Sequence, residues 1–287
     1  MPDKLSRDAN ASGRFPVSKE LQLRIASGVV VALVALAFAW QSAIAFAILT
    51  GTVAALMSWE WSRIVRDETG DTVVALHIGA VVAAALLTLA GMAGIAVAAV
   101  FALAIAVAAL LFGSGQAMLS GLGVLYTGLP VVALGWLRGD ERLGFLAALL
   151  VLVIVAATDI AAYAAGRLIG GPKLAPAISP NKTWAGLAGG VTAAAIVGGL
   201  FPAVTGSGEW PWLVALGLAL GLTAQAGDLA ESALKRHFGR KDASELIPGH
   251  GGFMDRMDGV VTASIAAALI ALAIDAYAPA RALLYGS

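Results

Sequence analysis

The sequence contains no cysteine, which excludes a disulfide framework, a thiolate metal site and a cysteine nucleophile. Charged residues are also scarce. They make up 13% of the 287 residues, whereas a soluble globular domain carries about 25%, so a single water-soluble fold is disfavoured. Lys plus Arg and Asp plus Glu number 18 each. Neither sign is in excess, so the composition does not indicate a nucleic-acid binder or an acidic tail.

Hydrophobic residues make up 60% of the chain. Apolar stretches of about 20 residues, the length that crosses roughly 30 Å of hydrocarbon, recur throughout the sequence. They lie at 25–57, 75–92, 93–113, 121–137, 143–165, 184–204, 211–227 and 256–277. The first stretch contains Trp40, Gln41 and Ser42 near its middle and is long enough for one or two crossings. The pattern predicts an all-α polytopic integral membrane protein.

The positive charges favour two crossings in the first stretch, because cytoplasmic loops collect Lys and Arg. With that stretch split, 15 of the 18 Lys and Arg residues lie on one side, and Arg138, Arg142 and Arg281 lie on the other. With a single crossing the division is ten against eight. We therefore predict nine transmembrane helices and a cytoplasmic N-terminus. A signal peptide cleaved near residues 37–39 is the alternative.

Two cytoplasmic segments are richer in polar residues than the other loops. Segment 159–186 contains Asp159, Arg167 and Lys182, and segment 225–258 contains eleven formal charges. Because both lie on the same predicted face, they could build one site. The chain then divides into a cytoplasmic tail (1–24), N-terminal transmembrane helices (25–142) and a C-terminal transmembrane half (143–287) that carries both segments.

Three aspartates in the second segment predict a metal site. Asp228 ends a hydrophobic helix, and Asp255 and Asp258 open the next one at a spacing of three, which places both on one helical face. Carboxylates are the hard oxygen ligands that Mg²⁺ uses when it also binds phosphates. Pairing with Arg256 and Lys235 is the alternative that needs no metal ion.

The same segment offers groups that bind phosphate. Lys235, Arg236, Arg240 and Lys241 can neutralise phosphate oxygens, and the glycines around His250 can present backbone amides to an anion. An ordinary solvated surface that attracts anionic lipid is the alternative. For His250, a structural or phosphate-contacting role is favoured over catalysis. Asp159 could pair with Arg167 or could position a nucleotide or metal.

The residues from Ser232 to Asp258 resemble the signature of the phosphatidate cytidylyltransferase family, also called CDP-diacylglycerol synthases. The resemblance rests on Lys235-Arg236, Lys241-Asp242, Ser244, Pro248-Gly249-His250-Gly251-Gly252 and Asp255-Arg256-Met257-Asp258. The first segment is similar to the family through Asp159, Tyr163, Gly166, Arg167, Gly170, Leu174-Ala175-Pro176 and residues 179–184. Two positions depart from it: Asn181 stands where a second Lys is frequent, and Ala185 stands where an acidic residue is frequent.

The resemblance implies transfer of a cytidylyl group from CTP to phosphatidate, with release of pyrophosphate. It also implies an all-helical polytopic fold and a possible homodimer. The three aspartates predict Mg²⁺, with a possible second metal ion, and the positive charges predict a multi-pass protein of the cell membrane with its active site on the cytoplasmic face. The balanced charge predicts no nucleic-acid partner. The implied catalytic residues are Asp228, Lys235, Arg236, Asp255 and Asp258, and the implied metal ligands are Asp228, Asp255 and Asp258. The implied substrate-binding residues are Asp159, Arg167, Ser179, Lys182, Ser232, Lys241, His250, Gly251, Gly252 and Arg256.

Two other function classes compete with this hypothesis. A transporter would carry its charged residues near the bilayer midplane on broken helices, whereas here they gather at one interface. A polyprenol kinase that uses CTP would need a similar metal and nucleotide site. The 27-residue match from Ser232 to Asp258 favours the cytidylyltransferase.

Overall fold

A computed structural model describes residues 30, 32–139, 143–246 and 251–287. Within these residues the helices are α1 (Ala32–Gln41), α2 (Ala43–Arg66), α3 (Thr72–Leu89), α4 (Ala93–Leu110), α5 (Ala117–Arg138), α6 (Leu143–Leu168), α7 (Trp184–Thr205), α8 (Trp210–His237), α9 (Met254–Ile274) and α10 (Pro279–Tyr285). Helices α2 to α9 are each long and apolar enough to cross a membrane. The predicted all-α polytopic membrane fold is confirmed.

The first apolar stretch breaks at the polar residues near its middle. Ser42 lies between α1 and α2, and its hydroxyl accepts a hydrogen bond from the Ala45 N–H at 3.0 Å, which caps α2. The buried Arg138 at the end of α5 donates from Nε to the Ala39 carbonyl at 2.7 Å. The ends of α1 and α5 therefore lie at the same face. A ninth crossing and the cytoplasmic N-terminus remain predictions, and the tail at 1–24 lies outside the described residues.

Helix α8 is longer than the sequence pattern indicated. The pattern placed its end at residue 227, whereas the helix continues to His237. The polar residues of this extension are spaced three or four apart, so Asp228, Glu231 and Lys235 share one face and Glu231 pairs with Lys235. Residues expected to lie in a loop are thus carried on a rigid helix.

The segment between α6 and α7 forms two short strands, which the sequence analysis did not predict. Strands β1 (Lys173–Ala175) and β2 (Ser179–Thr183) pair in an antiparallel hairpin. Thr183 ends the hairpin and also caps α7, because its side-chain oxygen accepts from the Gly186 N–H at 3.0 Å. The hairpin is therefore anchored directly to a membrane-spanning helix.

Glycines bring the helices of the C-terminal half close together. A Cβ at Gly190 of α7 would lie 2.8 Å from the Thr158 carbonyl of α6. A Cβ at Gly227 of α8 would lie 2.6 Å from the Asp258 carbonyl of α9. Only a residue without a side chain permits these approaches. The second contact lies directly beside Asp228, so it brings Asp228 and Asp258 to neighbouring positions.

Three interhelical connections meet at one face of the bundle. Arg240, after α8, pairs with Asp67, after α2, at 2.6 Å. Arg236 donates from Nε to the carbonyl of Ile178 in the hairpin at 3.3 Å. Between α2 and α3, Arg66 pairs with Asp71 and lowers the pKa of Asp71 to about 2, so this contact is charged at neutral pH. The two polar segments of the sequence therefore lie together, as predicted.

Candidate active site

A cavity of about 680 Å³ opens where the hairpin meets α6, α8 and α9. Its charged lining combines both polar segments, and apolar residues such as Leu174 and Leu187 also line it. Eight of the site residues expected from the sequence line it: Asp159, Arg167, Lys182, Asp228, Lys235, Asp255, Arg256 and Asp258. This mixture of acidic, basic and apolar groups suits a ligand that carries both phosphate and hydrocarbon.

Lys182 connects the hairpin to α8. Its ammonium lies 2.6 Å from Oδ2 of Asp228, and both side chains remain partly open to the cavity. The hydroxyl of Ser232, one turn further along α8, lies 3.4 Å from the other oxygen of Asp228. The ion pair therefore joins segment 159–186, through Lys182, to segment 225–258, through Asp228.

Lys235 lies between two carboxylates. Its ammonium is 2.6 Å from Oε2 of Glu231 on the preceding turn of α8, and it also pairs with Oδ1 of Asp255 on α9. Glu231 and Lys235 are buried. A buried charge is costly without a partner, so this triad fixes the position of the Lys235 ammonium at the cavity wall.

Asp255 has little freedom to move. Its Oδ2 accepts hydrogen bonds from the N–H groups of Ala243 at 2.9 Å and Gly252 at 2.7 Å, while Oδ1 faces Lys235. Gly251 precedes this contact with a φ of 77°, a backbone conformation that favours glycine. Asp255 therefore joins the start of α9 to the connection that follows α8.

Asp258 lies one turn deeper in α9 and is buried. Its Oδ1 accepts from the N–H of Gly259 at 2.7 Å. Asp258 interacts electrostatically with Asp228, Glu231 and Asp159, and Asp159 also interacts with Lys182 and Arg256. The inner end of the cavity is thus acidic.

The donor chemistry suits a magnesium ion that is also bound by phosphate. Mg²⁺ is commonly held by one or two carboxylates together with water and substrate phosphates. Asp228 and Asp258 offer two such carboxylates at the cavity, whereas both oxygens of Asp255 already have partners. Among the described residues no group of three or more His, Asp or Glu side chains is arranged to hold a metal ion. The three-aspartate metal site remains a prediction.

Several expected site residues lie outside the cavity lining. Arg236 is exposed and donates to the carbonyls of Ile178 and Arg240, which ties the hairpin to α8. The others in this group are Ser179, Ser232, Lys241, Gly251 and Gly252. His250 lies outside the described residues. The catalytic or binding roles of all these residues remain predictions.

The structure adds residues that the sequence analysis did not assign. Asn181, which departs from the family pattern, lines the cavity with Gln225 and Asp242, and Glu231 holds Lys235. If α8 had been predicted to continue to His237, the spacing of Glu231 from Asp228 and Lys235 would have identified Glu231 as a partner of Lys235. Glu60 of α2 also contacts the start of α9.

Comparison with known proteins assigns the chain to a family. The model of the cytidylyltransferase family matches residues 22–274, which is most of the chain. The chain belongs to this family. The phosphatidate cytidylyltransferase of Brucella suis biovar 1 is 39% identical over 249 residues, covering 85% of this chain and 90% of the relative. That of Brucella abortus biovar 1 is 38% identical over the same length. The family expected from the sequence is confirmed.

Another relative matches a shorter stretch of this chain. The phosphatidate cytidylyltransferase of Mycobacterium tuberculosis (strain ATCC 25618 / H37Rv) is 42% identical over 120 residues, which is 42% of this chain and 36% of the relative. The Brucella relatives, by contrast, align along almost their entire length.

Proposed function

We propose that this chain transfers the cytidylyl group of CTP to phosphatidate, forming CDP-diacylglycerol and pyrophosphate. The relatives that match most of its length carry this activity in their names. The observation that carries the proposal is the ion pair between Lys182 and Asp228, which joins both family-like segments at one cavity. An open cavity at a helix interface, with polar and apolar walls, suits a water-soluble nucleotide and a membrane lipid.

The cations of the cavity would hold the phosphates of both substrates in register. CTP and phosphatidate are anionic, so their mutual repulsion opposes the reaction. Lys182 can exchange its partner Asp228 for a phosphate oxygen, and Lys235, which Asp255 holds in place, lines the same cavity together with Arg256. Positioned cations of this kind stabilise the charge that develops during phosphoryl transfer.

Asp228 and Asp258 would hold Mg²⁺ together with the phosphate oxygens, and Asp255 would keep Lys235 in place. When bound, the metal ion would neutralise phosphate charge and stabilise the departing pyrophosphate. Lys182 would leave Asp228 for a phosphate oxygen, which frees the Asp228 carboxylate. A second metal ion and a homodimer remain predictions.

The reaction needs no strong general base. An oxygen of phosphatidate, already ionised near neutral pH, attacks the α-phosphorus of CTP. The new phosphorus–oxygen bond forms as the bond to pyrophosphate breaks, in line on the opposite side of the phosphorus. The residues of the chain therefore act by orienting both phosphates and by balancing their charge.

We also place the cavity on the cytoplasmic face of the cell membrane. The distribution of Lys and Arg supports this placement. In the nine-helix topology, 15 of the 18 Lys and Arg residues lie on the same face as the two polar segments. On this face, CTP from the cytoplasm can enter the cavity directly, and phosphatidate can reach it from the membrane between the surrounding helices.

The position of the radioactive label tests the reaction. Purified protein in detergent would receive phosphatidate and CTP labelled at either the α- or the γ-phosphorus. We expect the α label in the lipid product and the γ label in pyrophosphate. Appearance of the γ label in an added polyprenol would instead indicate a kinase. Asp258→Asn, which changes a cavity carboxylate, should abolish most of the transfer, whereas Glu68→Gln, a change at an exposed residue, should not.

A further inference from the structure

Glu60 is a buried acid that the proposed mechanism does not use. It lies in the last third of α2, its exposed fraction is 0%, and it does not line the cavity. A carboxylate within a membrane bundle is costly unless it is paired. Its partners therefore indicate why an acid occupies this position.

Among the described residues, the partners of Glu60 belong to the connection before α9 or to the start of that helix. Oε1 accepts from the hydroxyl of Ser244 at 2.5 Å and from the N–H of Phe253 at 2.9 Å, and Oε2 accepts from the N–H of Met254 at 2.7 Å. Phe253 is the N-cap of α9 and supplies no side-chain cap. Since the first N–H groups of a helix lack partners within the helix and carry partial positive charge, Glu60 caps α9 from another helix.

The turn before α9 is shaped to accept this carboxylate. A Cβ at position 252 would overlap the side-chain oxygens of Glu60, so the close approach depends on Gly252. The N–H of Gly252 donates to Oδ2 of Asp255 at 2.7 Å. The turn is thus held between Glu60 on one side and Asp255 on the other.

The contacts continue from this turn into the cavity. Asp255 holds the ammonium of Lys235, and Asp258 lies one turn further along the helix that Glu60 caps. A cluster of buried apolar residues, which includes Met57, Trp61 and Met254, packs α2 against the same end of α9. A shift of the turn would therefore move both aspartates and Lys235.

We infer that Glu60 is a positioning residue for the cytidylyl transfer, acting through the start of α9 on Asp255, Lys235 and Asp258. This inference rests on the proposed function. Glu60 fixes the backbone of the turn, the turn fixes Asp255, and Asp255 fixes the ammonium that faces the phosphates.

The substitution Glu60→Gln tests the inference. It preserves size but removes the charge and replaces one acceptor oxygen with a nitrogen that cannot accept. We expect kcat to fall roughly 10-fold or more, as for loss of hydrogen bonds to a charged group. The KM for CTP should change much less. Lys182, a proposed contact for the CTP phosphates, lies on the hairpin, which Glu60 does not contact. Glu68→Gln, a matched change at an exposed residue just after α2, should leave both constants unchanged.

A measurement independent of activity reports on the turn itself. The chain has no cysteine, so Leu246→Cys, at an exposed residue close to Ser244, provides a unique site for a spin label. We expect the label to become more mobile in the Glu60→Gln background and to remain unchanged in the Glu68→Gln background. If Glu60→Gln fails to fold, Ser244→Ala removes one of the three contacts and should give smaller changes in the same direction.

The two measurements separate the possible failures. Folded Glu60→Gln protein with wild-type kcat, or with unchanged label mobility, would overturn the positioning role. Wild-type protein that transfers no cytidylyl group to phosphatidate would overturn the proposed function instead. The label would still show in that case whether Glu60 holds the turn.

Discussion

The carboxylates of the cavity differ in what they already bind, and this difference predicts separate roles. Asp255 accepts two backbone N–H groups and pairs with Lys235. Asp228 has one ammonium beside it and remains partly open to the cavity. Asp258 accepts one N–H and faces the acidic inner end. A cation that enters the cavity would therefore compete with fewer partners at Asp228 and Asp258 than at Asp255.

Substitutions of the three aspartates test this division. We expect Asp228→Asn and Asp258→Asn each to lower turnover by about 100-fold or more, the scale of losing one preorganised electrostatic group. Both should raise the Mg²⁺ concentration that gives half-maximal activity. Asp255→Asn should lower turnover with little change in the Mg²⁺ requirement, because its main partner is Lys235. Magnesium titrations of CDP-diacylglycerol formation measure both effects.

The double variant Asp228→Asn/Asp258→Asn tests whether the two aspartates bind the same metal ion. Because groups that act as a unit are non-additive, the double variant should lose little more activity than the worse single variant. Losses that multiply, together with an unchanged Mg²⁺ requirement in each variant, would contradict a shared metal site.

Lys182 offers a second test at the scale of single residues. Lys182→Ala removes a phosphate contact and also leaves Asp228 without its ammonium partner. We expect the KM for CTP to rise by about 10-fold or more, the scale of a charge-assisted hydrogen bond, with the Mg²⁺ requirement unchanged or lowered. Lys173→Ala, at the exposed start of the hairpin, is the matched control. A wild-type KM in the Lys182 variant would exclude the phosphate contact.

At the scale of the helices, the close crossing of α8 and α9 at Gly227 places the acidic residues together. A Cβ there would meet both Thr262 and the backbone carbonyl of Asp258. The side chain of Thr262 in turn donates to the carbonyl of Thr223 on α8 at 2.8 Å. The two helices can carry a shared site only at this separation.

Gly227→Ala should therefore push α9 away from α8. We expect a loss of activity of about 10-fold or more and a lower thermal unfolding temperature, since overpacking costs roughly 1–3 kcal/mol. Gly79→Ala in α3, where a Cβ would meet no atom within 4 Å, should be neutral or slightly stabilising. Activity and unfolding measured on both variants make the comparison. Equal behaviour of the two would contradict the close crossing.

The membrane helices could be predicted from the sequence because the bilayer imposes a length and an apolar composition on each of them. The extension of α8 to His237 could not be predicted in this way, because beyond the hydrocarbon a charged helix and a charged loop have similar compositions. The β1–β2 hairpin was missed for a related reason. Strands of three and five residues contain too few positions for a clear alternation.

The sequence could predict relations between candidate-site residues that lie close together in the chain, but not contacts between residues far apart in it. Asp255 and Asp258 could be placed on one helical face from their spacing, and charge placed both segments on one side of the membrane. Glu60 could not be linked to α9 because almost two hundred residues separate it from Phe253 and Met254. Its only signal was an acid within an apolar stretch.

At the scale of the whole molecule, the bundle has one polar face and one sparsely charged face. The first carries the connection after α2, the hairpin and the connection after α8, linked by the contacts of Arg240 and Arg236. The opposite face carries the ends of α1 and α5, with Arg138 bound to Ala39. Because successive long helices run in opposite directions, the assignment of one face to the cytoplasm fixes the direction of all of them.

Labelling of single cysteines tests this assignment without any background from native thiols. Leu246→Cys lies on the face of the cavity, and Tyr277→Cys lies beyond the end of α9 on the opposite face; both wild-type residues are exposed, Tyr277 at 99%. In intact cells an impermeant thiol reagent should label position 277 and not position 246, because positive charge keeps the cavity face in the cytoplasm. Both positions should react after the membrane is permeabilised, which shows that each cysteine is accessible. Labelling of position 246 in intact cells would reverse the topology and place the cavity on the side that CTP does not reach.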